Sequence, residues 1–205
     1  MGGLALTAGC LDFVRGEGPL EFAAERVAPS QAALDETGYE EDTVEEETIE
    51  ETVDVGVERE VRATVHISTY TNELEFEGEL RDASTFAAIS MPDMEFAGRS
   101  FNPVEDMSHE ELLEEFADQM DGEHGDVDDL EHEESFTLDV LGGGRDTDVF
   151  VGQTEFEGER IDVEVVVTSF GHEDDIIVLL GSYPVELADE SANVEELMES
   201  VEHPA

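Results

Sequence analysis

Six histidines mark where metal or acid–base chemistry could sit: His66, His109, His124, His132, His172 and His203. None of them forms the HExxH spacing that sets two imidazoles around zinc on one helical face, and there is no CxxC. His124 and His132 lie among Glu123, Asp126, Asp128 and Asp129. A metal cluster competes there with a solvated loop, and in a chain that is 32% charged the loop suffices. Asp121 to His132 fails as a calcium loop. Its sixth position is Asp126 where glycine must turn the chain, and its twelfth is His132 where a glutamate must supply oxygens. His172-Glu173-Asp174-Asp175 reads as a turn between strands. Gly142-Gly143-Gly144-Arg145 lacks the lysine of a phosphate loop, and no GxSxG elbow presents a serine nucleophile. Carboxylate pairs occur throughout, so pairing singles out no site. The expectation is a chain with no catalytic residue, no metal ligand and no cofactor site.

One reactive group remains. Cys10 is the single cysteine among 205 residues, so no internal disulfide can form. It closes the run Leu6-Thr7-Ala8-Gly9-Cys10. Small residues ending in Gly-Cys resemble the lipobox of prokaryotic lipoproteins, in which a peptidase cuts before the cysteine and its sulfur carries the lipid. The resemblance implies lipid attachment at Cys10, the membrane as a partner through that lipid, and a place on the extracytoplasmic face of the cell membrane. The competing reading is a small buried hydrophobe, the usual state of a lone cysteine. Met1 to Gly9 has no positive n-region and is far short of the ~20 apolar residues that span a bilayer. Residues 1–10 therefore read as the remnant of a lipoprotein signal, with 11–19 as a tether containing Gly16, Gly18 and Pro19.

The charge balance is extreme, with 57 acidic against 8 basic residues and a net charge of −49. Every basic residue is arginine, although lysine is ordinarily among the commonest residues. Self-repulsion at this density opposes a compact state in dilute buffer, and molar salt screens it. An acidic, lysine-free surface over a chain that is still 39% apolar fits life in concentrated salt. An acidic cation-binding protein is the alternative, but the acid is spread along the chain rather than gathered in a tail. With no basic stripe to meet phosphates, nucleic acid is not an expected partner.

The elements follow from periodicity. Leu20 to Glu25 reads as a first strand. Ser30 caps a short helix that carries Ala33 and Leu34 inward, and Gly38 stops it. Ile49, Val53, Val55, Val57, Val61, Ala63, Val65 and Ile67 alternate with mostly polar residues, a half-buried antiparallel pattern with a turn near Asp54-Val55-Gly56. Residues 71–83 show no clear period and read as loop, and Thr85 to Ser90 as strand. Ser108 and Glu111 form a capping box for a helix with Leu112, Leu113, Phe116 and Met120 on one face. Residues 121–134 read as an acidic connector. Phe136 to Val140, Val149 to Phe156 and Ile161 to Phe170 are strands, the last two joined by a tight hairpin at Glu157-Gly158-Glu159. Ile176 to Leu180 is apolar throughout, as a strand buried on both faces is. A helix over 191–202 carries Val194, Leu197, Met198 and Val201. Val163, Val165, Val167, Ile177, Leu179, Phe116, Leu197 and Val201 are expected to be buried. Residues 20–205 are thus expected to form a single α+β domain, one antiparallel β-sheet flanked by α-helices.

The segments Phe86-Ala87-Ala88-Ile89-Ser90-Met91-Pro92 and Gly98-Arg99-Ser100-Phe101-Asn102-Pro103, with the closing strand ending in Tyr183-Pro184, resemble an uncharacterised group of haloarchaeal lipoproteins known only by a domain of unknown function. The hairpin, buried strand and final helix are also similar to the Mog1/PsbP-like sandwich. Neither resemblance brings catalytic residues. The function expected is that of a lipid-anchored surface protein of a halophilic archaeon, a non-catalytic binding or assembly module with an envelope protein as partner. The other class is a hydrolase-like or other enzyme whose site is assembled only in three dimensions.

Overall fold

The computed structural model describes residues 19–54, 58–76, 79–96, 99–100, 102, 104, 107–113, 127–156, 159–187 and 189–205. Cys10 and its flanking run lie outside the described residues, as do Phe116, Met120 and His124.

Alternating residues build long strands. In chain order they are β1 (Leu20–Ala23), β2 (Ala28–Pro29), β3 (Glu40–Asp54), β4 (Glu58–Phe76), β5 (Glu79–Pro92), β6 (Glu95–Phe96), β7 (Arg99–Ser100), β8 (Asp128–Val140), β9 (Gly143–Phe156), β10 (Glu159–His172), β11 (Asp175–Pro184) and β12 (Val201–Glu202). Two meanders make the main sheet. β3, β4 and β5 form one, and β8 to β11 the other; β5 and β11 join them, giving the order β3-β4-β5-β11-β10-β9-β8. β1 also lies against β4, running parallel with Leu20 opposite Val61.

The expected α+β layout of one antiparallel sheet flanked by helices, as in the Mog1/PsbP-like sandwich, is therefore corrected. The protein is mostly β, its eight-stranded sheet is mixed, and its helical pieces are short. Among the described residues they comprise Gln31–Thr37, a segment at 109–113, Glu190–Glu199 and a 3-10 turn at Val185–Leu187. A helix of 10 residues is about 15 Å long, whereas a strand of 14 residues spans about 46 Å. Such helices cannot form a layer across the sheet. Two segments assigned to loop or connector supply the extra β structure. Residues 71–76 and 79–83 extend β4 and β5, and 128–134 begins the edge strand β8.

The core sits on both faces of the centre of the sheet. β11 lies between β5 and β10, and Ile176 to Gly181 is buried throughout. Ile177 and Leu179 join Tyr70, Phe86 and Val166 beneath Ala33, Leu34, Val194, Leu197 and Met198 of the two longer helices. Val178 and Leu180 face the other way and pack with Val65, Phe150, Val165 and Leu113. Except for Phe116, which is not described, all the residues expected in the core are buried.

Local signals set the helix ends. Ser30 Oγ accepts from the Ala33 N–H at 3.3 Å, and Gly38, at φ 81°, donates its N–H to Leu34 O at 2.9 Å. Ser108 and Glu111 close the capping box, with Glu111 Oε2 2.8 Å from the Ser108 N–H. The final helix stops at Glu199, short of the expected boundary, because Val201 and Glu202 leave it to pair with β2. This places the C-terminal tail beside residues 24–30, where Ala205 N–H donates to Arg26 O at 2.9 Å.

Candidate functional site

Two clusters join side chains that the sequence keeps far apart. The first forms where the C-terminal tail meets the β10–β11 hairpin. His172 and Asp175 are register partners at the close of that hairpin, so the turn expected over 172–175 is present. Asp175 is only 5% exposed. Its Oδ2 accepts from the Glu25 N–H at 2.8 Å and lies 3.0 Å from His203 Nε2. Glu25 O is a second neighbour of that nitrogen, at 3.2 Å. The His203 side chain is 2% exposed, and its Nδ1 is buried without a hydrogen-bond partner. The His172 ring stands edge-on to it with centroids 5.5 Å apart. Glu173 occupies the hairpin tip at φ 55° and is exposed.

The second cluster lies on β8 and β9. Ser135 and Asp148 are register partners, and Ser135 Oγ donates to Asp148 Oδ1 at 2.5 Å. His132 Nε2 is 3.0 Å from Ser135 Oγ and 3.4 Å from Asp148 Oδ1. His109, from the segment at 109–113, meets Asp148 Oδ2 through Nδ1 at 2.7 Å. Partial burial pushes the Asp148 carboxyl up, but hydrogen bonds from Ser135 and His109 outweigh it and hold the group below its ordinary range. A relay would need serine and carboxylate on opposite nitrogens of one imidazole. Both meet His132 through Nε2, so this cluster works as a carboxylate held by donors. It pins the 109–113 segment to the sheet.

A third polar group is buried under the helices. Tyr39 Oη contacts Ser84 Oγ and donates to Glu190 Oε2 at 3.1 Å, and Asn193 Nδ2 donates to Glu190 Oε1 at 2.8 Å. Burial raises the Tyr39 phenol far above its usual value, so it is a neutral donor. This group ties the start of the final helix to the sheet.

Of the acidic-connector residues, Glu123, His124 and Asp126 lie outside the described residues, and His132 turns to Asp148. His66 is half-buried on β4, opposite Glu46 and Ser90. Leu141 and Gly142 turn the β8–β9 hairpin, with Gly142 at φ 72°; Arg145 stacks over Phe170 at 4.1 Å. The His172–His203 and His109–Asp148 contacts have no signature in local spacing. Among the described residues, no helix is long and apolar enough to cross a membrane.

No curated protein matches the chain. One similar solved structure is that of LpqN, involved in cell envelope biogenesis of Mycobacterium tuberculosis. It is 8% identical, with 77% of this chain and 89% of that chain covered and a TM-score of 0.35, a likeness too shallow to transfer a role. Residues 26–202 match the family described as a domain of unknown function, DUF6517, and the chain belongs to that family.

Proposed function

We propose that this protein is a lipid-anchored envelope protein of a halophilic archaeon, held on the extracytoplasmic face of the membrane through Cys10, and that it is a non-catalytic binding or assembly module. The observation that carries the reading is the run Leu6-Thr7-Ala8-Gly9-Cys10 placed just ahead of the first strand, Leu20–Ala23. A short tether between them suits a domain displayed at a surface. The acidic composition supports the salt habitat. The polar clusters fit an assembly module in that their members hold segments of the fold together, Asp148 fastening the 109–113 segment and Glu190 the final helix.

The anchor is tested by Cys10→Ser in the full-length protein with its complete signal. Two lipid chains attach stably because each buried CH₂ adds about 0.8 kcal/mol. The variant is expected to leave the membrane fraction, and the parent protein to carry lipid mass on Cys10. Unchanged fractionation with no lipid at Cys10 would overturn the reading. Cross-linking at the native salt concentration tests the module role, with a specific envelope partner as the expected product.

A further inference from the structure

We propose that His172, Glu173 and His203 form a binding site for a divalent metal ion of the zinc class, with Asp175 holding the His203 ring in place for it. One nitrogen of His203 has no partner. His203 Nε2 faces two acceptors, the Asp175 carboxylate at 3.0 Å and the Glu25 carbonyl at 3.2 Å. A carbonyl can only accept, so Nε2 carries a hydrogen, and the neutral tautomer that this allows has its lone pair at Nδ1. That atom is buried and has no hydrogen-bond partner. Buried polar atoms in native proteins are nearly always satisfied, so an exception calls for an explanation.

Histidines that bind metal have this arrangement. One ring nitrogen takes the ion, and the other donates its hydrogen to a carboxylate or a backbone carbonyl. Here Asp175 is itself fixed, because its Oδ2 also accepts the Glu25 N–H. The fold adds two further donors beside the ring. His172 lies edge-on to His203, and the ligand atoms of His172, Glu173 and His203 all fall within 4.8 Å of one another. Bonds of about 2.0–2.1 Å in a tetrahedral set place ligand atoms roughly 3.4 Å apart. Closing that gap needs only modest movement, and Glu173 is exposed at a hairpin tip.

The donor set points to the class of ion. Two imidazoles and one carboxylate suit zinc with a fourth position left to water. Calcium and magnesium prefer all-oxygen shells. Sodium and potassium, hard ions like these, gather at the many carboxylates of this surface and compete poorly for imidazole. The bound ion would fasten the C-terminal tail to the β10–β11 hairpin.

The test is a Co²⁺ titration of the full chain in about 2 M KCl near pH 7.5, followed by visible absorption and then by displacement with Zn²⁺. The high salt suppresses diffuse binding to carboxylates. One equivalent of Co²⁺ is expected to give tetrahedral bands that Zn²⁺ removes. His172→Gln and Glu173→Gln, at half-buried and exposed positions, are each expected to weaken binding at least about 10-fold, with the melting temperature of the metal-free protein unchanged. Asp175→Asn, which removes the charge of the carboxylate that orients the ring, should cost about 10–100-fold. Absence of the bands, or bands of equal strength in His172→Gln and Glu173→Gln, would overturn the site.

Discussion

Raising KCl from about 0.1 M to about 3 M is expected to lift the melting temperature of the Cys10→Ser protein by roughly 6–20 °C near neutral pH. The edge strand β3 shows why. Residues 40–52 are exposed throughout, and Glu45, Glu47 and Glu51 share one face because they stand opposite Ile67, Val65 and Val61 of β4. Residues two apart on a strand are about 7 Å apart. Like charges at that distance cost each other roughly 0.6 kcal/mol in water before screening. A Debye length of about 10 Å at 0.1 M leaves about half of that cost, and about 3 Å at 1 M leaves a tenth. With 57 acidic residues against 8 basic ones, such like-charge neighbours recur along the chain. The unfolded chain repels itself as well, so the part recovered by salt is about 3–5 kcal/mol. That is a large share of a net stability of about 5–15 kcal/mol. Lowering the pH towards the sequence pI of 4.1 should substitute for part of the salt. Asp148 acts in the opposite sense. Its lowered folded-state value makes its contribution complete above the ordinary Asp range and lost as the pH falls through the folded value. A melting temperature that stays flat across the salt series would refute adaptation to salt and favour a dedicated cation-binding protein.

Gly181→Ala is expected to destabilise the protein by about 2–3 kcal/mol, a fall in melting temperature of roughly 5–10 °C. Gly181 lies in the central strand β11, opposite Phe86 and Val166, under the final helix. A Cβ there would stand 2.3 Å from Val194 Cγ1 and 2.9 Å from Cγ2. Val194 is fully buried, so its side chain cannot escape to solvent. Replacing glycine normally gains about 0.4–1 kcal/mol by restricting the unfolded chain, and the clash outweighs that gain. Val194→Ala alone loses buried methyls and should cost about 1–3 kcal/mol. In the double variant the new methyl occupies space that Val194 gives up. The two costs should therefore fall short of their sum by at least about 1 kcal/mol. Simple additivity in a thermal or urea melt would mean that the helix shifts freely on the sheet.

Much of the β structure was legible because it obeys local rules. Val61, Ala63 and Val65 alternate and are buried as expected, and Ile176 to Leu180 lies in the middle of the sheet. Ser30, Gly38, Ser108 and Glu111 mark helix ends through contacts within a few residues, which a sequence displays directly. The misread segments fail for an equally physical reason. Asn72 looks like a loop residue, yet it is buried, and its Nδ2 donates to Thr37 O, a partner far away in sequence. The start of β8 is acidic and exposed because an edge strand needs only a backbone neighbour on one side. Ile49 keeps the alternation of its strand but remains 49% exposed, since β3 lies at the sheet edge, away from the core.

The sequence by itself determined the acidity, the absence of lysine, the Gly-Cys run at Cys10, the helix caps and the alternation of the central strands. Each of these is a property of composition or of residues a few positions apart. Only the tertiary structure decided strand partners, the parallel placement of β1, and the meeting of His203 with Asp175 and His172. Backbone hydrogen bonds between strands are nearly indifferent to side-chain identity, so the choice of partner leaves little trace in the residues themselves. The histidine cluster depends on β12 leaving the final helix to pair with β2. That path is set by burying Val201 and the tail against a sheet already formed, and no spacing along the chain encodes it.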